Sequence, residues 1–282
     1  MDLATRDILK EIDNIDLYMN ANNVKSKMYA LNNGSPQTVT MNEDTIKVLE
    51  TAADVKEKSD GAFNVAIKPI IDLWGFGGNY RKVPSDSEIS AMLETVNNTE
   101  ITVNGTDVSL NGGKIDLGGI GKGFASDKAR ECLERYQVNY AVVDFGGNIL
   151  TYGTKPDGSS FKVAIADGND SSFAVLEVGN TCVITSGGYE RYFEENGKRY
   201  HHLLDPSTGK PAENGLVSVT IISENGTLAD ALSTACFVMG KEEGMKLAES
   251  YGVSAVFLDE DKNVYTVGNV KITITEDGYT LK

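Results

Sequence analysis

Ile8, Ile12 and Ile15 recur at helical spacing, and the stripe they form predicts a helix over residues 4–18. A second apolar pattern, Ile46, Leu49, Ala53 and Val55, opens after Asn42, a residue type suited to an N-cap, and stops at Lys-Ser-Asp-Gly, 58–61. A third helix is expected over 85–95. The period then shortens toward two: segments 101–103, 108–110 and 114–116 read as short strands, with Asn-Gly turns at 104–105 and 111–112.

After Gly123 a fourth helix is expected, with Ala125, Ala129, Cys132 and Leu133 on its inner face. From Tyr140 the pattern is mostly that of strands: 140–144, 148–153, 161–166, 173–178, 181–185, 199–204 and 216–223. Helices return over 227–239 and 241–251, and strands over 254–258, 263–266 and 270–275 close the chain. There is no low-complexity tract and no Pro- or Ser-rich linker. The expectation is therefore one α+β unit over residues 1–282, with layered helices and mostly antiparallel sheet and with room for a smaller subdomain.

Composition narrows the function classes. A formal charge of −15 lacks the basic footprint that nucleic acid requires, so nucleic acid is not an expected partner. An acidic chain that binds an anionic ligand must do so locally, through backbone N–H groups, a metal ion or a few placed cations. The three cysteines, Cys132, Cys182 and Cys236, have no zinc spacing and cannot form a complete disulfide framework. No apolar run is long enough to span a bilayer, and Met1–Arg6 leads straight into the first amphipathic pattern with no signal-peptide character. That opening fits either a cytosolic chain or one whose export segment lies upstream.

Four segments carry candidate chemistry. In Asp116-Leu-Gly-Gly-Ile-Gly-Lys-Gly123 a strand ends in an acid and a glycine-rich turn opens a helix, a pattern that frees N–H groups toward an anion, with Lys122 as a point charge; it equally fits a tight strand-to-helix connection. Asp230, Ser233 and Thr234 share one helix face, an oxygen set that a hard cation accepts, or an ordinary helix acid with two packing residues. His201 and His202, the only histidines, precede the turn signal Asp205-Pro-Ser-Thr-Gly209, and a histidine base would have to come from this pair. Ser59–Asn64 and Ile71–Gly78 place the single tryptophan in a glycine-punctuated aromatic stretch that suits a flat heterocycle and a core alike. Residues 115–120 and 143–149 also echo each other, each an acid followed by a glycine pair, which chance explains in a chain with 29 glycines.

In this order the segments resemble the ApbE family, the FAD:protein FMN transferases. The similarity covers about residues 17–240 and rests on Asp60-Gly-Ala-Phe63 with Leu73-Trp-Gly-Phe-Gly77, the glycine turn from Asp116, Val143-Asp-Phe-Gly-Gly-Asn148, Thr185–Phe193, His202-Leu-Leu-Asp-Pro206 and Ala229–Thr234. It implies an ApbE-like, T-fold-like α+β architecture and a magnesium-dependent transfer of FMN from FAD to a Thr or Ser hydroxyl of another protein, with AMP released. It assigns magnesium to the Gly119 carbonyl with Asp230, Ser233 and Thr234. FAD falls to Ala62, Phe63, Asn64, Asp116, Lys122 and Leu204, with Asn20 at a variable flavin-site position. His202 becomes the base.

The acceptor implied is a membrane or extracytoplasmic redox protein, and the full-length protein would be extracytoplasmic and membrane-anchored, or cytoplasmic if Met1 is the true start. Three departures stand out: Asn64 where the family usually has Asp, Ala66 where it has Thr, and no Met-Gly-Thr-like strand before the first helix. The alternatives are an FAD pyrophosphatase, with water in place of the protein hydroxyl, and a non-catalytic FAD-binding protein.

Overall fold

A computed structural model describes residues 2–78, 80–168 and 171–282. The first helix, α1 (Leu3–Met19), is capped by Asp2, whose carboxylate accepts from the Thr5 N–H. Next come α2 (Lys27–Asn33), capped by Ser26, β1 (Thr38–Thr40) and α3 (Glu43–Lys58), which begins at its Asn42 cap as the sequence implies. A 3-10 turn, Val65–Ile67, leads into α4 (Lys68–Trp74), and a Ser85/Glu88 capping box starts α5 (Asp86–Asn98). The hairpin β2 (Glu100–Asn104) and β3 (Asp107–Asn111) pairs with β1 in the order β1-β3-β2.

The strand expected at 114–116 does not form. Ile115 is paired through both its N–H and its C=O with the Asn32 side chain, and the Asp116 N–H donates to the Val65 carbonyl at 2.7 Å. A buried amide thus replaces a neighbouring strand. Helix α6 (Gly121–Arg135) starts two residues before Gly123, so Lys122 lies in its first turn.

Strands β4 (Tyr140–Asp144), β5 (Ile149–Gly153), β6 (Phe161–Ala166), β7 (Ser172–Val178) and β8 (Thr181–Gly187) follow. The expected strand 199–204 is split. Its first part is β10 (Lys198–His201), hairpinned with β9 (Tyr192–Glu195), and its end is β11 (Leu204–Asp205), paired with β12 (Lys210–Pro211). His202 lies between them, its N–H continuing the β9–β10 register to the Arg191 carbonyl at 3.0 Å. The chain closes with β13 (Leu216–Ser223), α7 (Gly226–Met239), α8 (Lys241–Ser250), β14 (Ser254–Asp259), β15 (Asn263–Val267), β16 (Ile272–Ile274) and β17 (Thr280–Leu281).

A seven-stranded sheet, β17-β15-β14-β13-β8-β5-β4, forms the centre and is antiparallel except where β15 meets β17. Alternation along β8 feeds both faces: Cys182 and Ile184 enter the core shared with α6 and α7, whereas Val183 enters the core under the small sheet β16-β7-β6. All three cysteines are buried and free, as small apolar side chains. A third cluster, Ile70, Trp74, Ile89, Val96 and Leu204, packs α4 and α5 beneath the β9–β10 hairpin. Trp74 is 2% exposed and its indole donates to the Gly209 carbonyl at 2.8 Å, so of the two roles open to it the core role holds. Among the described residues no helix is long and apolar enough to cross a membrane.

Candidate active site

The candidate site forms where three connections meet the head of α7. Asp127 holds that head by accepting from the N–H groups of Gly226 and Thr227 and from the Thr227 hydroxyl, at 2.7, 2.8 and 2.6 Å. The helices α6 and α7 cross at glycines: a Cβ on Gly123 would lie 2.1 Å from the Gly226 carbonyl oxygen, so no side chain fits there. This close crossing brings Asp230 of α7 to the first turn of α6, where its Oδ2 accepts from the Gly123 N–H at 2.8 Å. Ile120, the N-cap position of α6, offers no side-chain bond, and the Asp230 carboxylate supplies the missing acceptor.

That arrangement corrects the reading of the glycine turn as a free anion nest. Gly118 N–H donates to Asp116 Oδ1 at 2.7 Å, Ile120 and Gly121 N–H groups to the Leu117 carbonyl, and Gly123 N–H to Asp230. The turn binds the protein's own acids. The echo at 143–149 is geometric as well, since Gly147 N–H donates to Asp144 Oδ1 at 2.8 Å. Both loops converge on Asp230, the second through Asn148, whose Nδ2 donates to Asp230 Oδ1 at 3.2 Å. Asn148 is fully buried, and its Oδ1 has no partner among the described residues.

These elements wall a cavity of about 670 Å³, within the range of small-molecule and cofactor sites. Its lining includes Ala62, Phe63, Asn64, Asp116, Gly119, Lys122, Leu204, His202, Asp230 and Thr234, and also Asn20. Ser233 is not in the lining. It is fully buried, donating to the Asp230 carbonyl at 2.8 Å and bonded to the Ser186 hydroxyl at 2.8 Å, so it steadies the helix turn from behind. Thr234 remains at the surface of the cavity, 3.3 Å from Ser186 Oγ, and a Cβ on Gly119 would lie 3.6 Å from its hydroxyl. Asn64 Oδ1 accepts from the Ala66 N–H at 3.0 Å, which turns its amide nitrogen outward as a donor.

The two histidines separate cleanly. His201 Nε2 lies 3.1 Å from the Ala212 carbonyl, and its ring stands edge-on to Phe237 at 5.6 Å, a packing role. His202 faces the cavity beside Phe76, and its Nδ1 lies 3.2 Å from the Arg191 carbonyl. A carbonyl only accepts, so Nδ1 carries the proton and Nε2 keeps its lone pair. Burial, helped by the Arg191 charge, holds the His202 imidazolium down to about 4, so the ring is neutral near pH 7. Burial pushes the Asp230 carboxyl up, against the stabilising Gly123 N–H and Lys122 charge.

Three charged residues at or just behind the cavity wall had no role assigned from sequence. Glu190 lines the cavity opposite Lys122, with Nζ to Oε2 at 3.9 Å. Arg191 follows it, and the motif Thr185–Phe193 flagged this stretch without saying what it faces. Lys68 is 4% exposed just behind the lining, with Nζ at 2.8 Å from Asp72, 3.1 Å from Asn22 and 3.7 Å from Asp116. One buried ammonium therefore joins α4, the α1–α2 connection and the glycine turn. No cluster of three His, Cys, Asp or Glu side chains able to hold a metal occurs among the described residues, so a cation here would rest on one carboxylate and neutral oxygens.

The ApbE family profile matches residues 2–257. The chain is 33% identical to the FAD:protein FMN transferase of Treponema pallidum (strain Nichols) over 283 aligned positions, covering 93% of this chain and 78% of that one. It is 32% identical to the FAD:protein FMN transferase of Klebsiella pneumoniae (strain 342), with 93% and 84% covered. Crystallographic neighbours include the ApbE protein of Thermotoga maritima (TM-score 0.85, 35% identity, 95% of this chain and 88% of that one). The flavin transferase ApbE of Vibrio cholerae superposes at TM-score 0.82 with 26% identity, covering 98% and 90%. With most of its length matched in sequence and in fold, the chain belongs to the ApbE family.

Proposed function

We propose that this protein is an FAD:protein FMN transferase, moving FMN from FAD to a Thr or Ser hydroxyl of an acceptor protein and releasing AMP. The observation that carries the reading is one cavity in which a neutral histidine with a free Nε2 and a buried carboxylate both line the wall. The acceptor hydroxyl gives its proton to His202 Nε2 as its oxygen bonds to the phosphorus next to riboflavin, and the bond to the AMP phosphate breaks. Arg191, through its carbonyl, keeps the base in the required tautomer.

Magnesium fits the donor set. Asp230, the Thr234 hydroxyl and the Gly119 carbonyl are hard oxygens, and an unpartnered Asn148 amide oxygen beside a buried carboxylate suits a nearby cation. When bound, the ion supplies charge neutralisation at the pyrophosphate. Asp116 and Asn64 present an acceptor and a donor to the rest of FAD, and Ala62, Phe63 and Leu204 give it apolar contact. An extracytoplasmic redox protein as acceptor, and an extracytoplasmic site of action, belong to the same proposal.

Incubation with FAD and magnesium, with and without an acceptor domain, tests it. Flavin retained on the acceptor through denaturation supports transfer. Free FMN and AMP with an unmodified acceptor would make the protein a pyrophosphatase, and bound but intact FAD a flavin carrier.

A further inference from the structure

Glu190 has no assigned role, yet it stands in the cavity between the charged groups that the proposed reaction uses. Its side chain is 26% exposed and faces Lys122, with 3.9 Å between Oε2 and Nζ. On its other side is the 144–148 loop, where a Cβ on Gly147 would lie 4.0 Å from Oε1. The segment leading to it from β8 is lightly held by its main chain: Gly188 N–H reaches the Val217 carbonyl at 3.2 Å, and Glu190 N–H the Gly187 carbonyl at 3.4 Å. The very next residue, Arg191, is the one whose carbonyl receives both the His202 N–H and the protonated Nδ1. A displacement of residue 190 is therefore passed to the His202 ring through one peptide unit.

We propose that Glu190 is a positioning residue for the transfer step: by pairing with Lys122 across the cavity it holds the segment 188–191, and with it the His202 ring, in register with Asp230. Lys122 then acts mainly within the protein. Its charge offsets that of Glu190, which faces it across the cavity at 3.9 Å. The pair also joins the α6 N-terminus, to which Asp230 is bonded, and the β8–β9 connection, to which His202 is bonded. Pairs of this kind act through geometry more than through stability, because a partly exposed ion pair contributes little to folding.

The inference rests on the transferase reading and is tested with the whole protein, FAD, magnesium and an acceptor domain. In Glu190→Gln, kcat is expected to fall by about tenfold or more, as misplacement of a catalytic group does. FAD affinity, read by titration calorimetry, stays that of the unsubstituted protein. K122E, which sets a carboxylate opposite Glu190 where the ammonium stood, is expected to be worse, and the exchanged pair K122E/E190K to regain kcat above K122E alone. An unchanged kcat in E190Q, an equal loss of kcat and FAD affinity, or an exchanged pair no better than K122E would each overturn the proposal. If the unsubstituted protein itself moves no flavin, the transferase reading fails, whatever the variants do.

Discussion

The proposed role of His202 as base rests on its tautomer and its charge state, and both have consequences that kinetics can read. His202→Ala is expected to bind FAD yet transfer FMN about 10²–10⁴-fold more slowly, the usual contribution of a general base. Protonation removes the lone pair, so activity must fall as pH falls. In the free protein that limb of kcat/KM is expected at about 4. In kcat it moves upward, because bound pyrophosphate places negative charge near the ring and favours the imidazolium. Coincident limbs in the two profiles would remove His202 as the titrating group. His201, packed on Phe237 and bonded to Ala212, is expected to affect stability and not the rate.

Asp230 needs a different substitution from alanine, since it completes the α6 N-terminus as well as facing the cavity. Asp230→Asn keeps an oxygen for the Gly123 N–H, and the unpartnered Asn148 Oδ1 can turn to accept from the new amide. The fold is therefore expected to persist. Manganese binding, followed by paramagnetic resonance as a magnesium substitute, should weaken by roughly 10–100-fold or more. Unaltered metal affinity in D230N would move the cation elsewhere.

Among the elements, the α6–α7 crossing is the one that fixes the site. A Gly123→Ala methyl would meet the Gly226 carbonyl at 2.1 Å and the Asp230 Cβ at 2.6 Å, so the helices must separate. Overpacking of this kind costs about 1–3 kcal/mol, which in a chain of this size lowers the melting temperature by several degrees. Calorimetric melting that leaves the Gly123→Ala midpoint unchanged would contradict the packing. Long periodic segments were legible in the sequence: α1, α3, α5 to α8 and the strands of the central sheet other than the two-residue β17 stand near their expected positions. The seven-residue helices α2 and α4 were not, because they are shorter than the window over which a 3.6 period can be recognised. The lost strand at 114–116 depended on Asn32, more than eighty positions away, and no local pattern carries that pairing. The strand reading through 204 failed because the chain changes partner there, from β9 to β12, again a pairing that no local pattern carries.

At the scale of the molecule, a chain of net charge −15 brings Lys122 and Arg191 to the wall of one cavity and Lys68 just behind it. The six motif segments, spread over residues 60–234, all contribute to that cavity, so the family resemblance foresaw most of its lining. It did not foresee which charges face one another, a property of the folded walls alone. Trp74 adds a last consequence. It is the chain's single indole, sealed in the third core and stacked at 6.5 Å on Phe76, whose own ring faces the cavity. An isoalloxazine seated there would lie close enough to accept its excitation energy, so tryptophan fluorescence should dim as FAD binds, before any chemistry and without an acceptor. The emission of one residue would then give the binding isotherm directly, and an emission indifferent to saturating FAD would place the flavin outside this cavity.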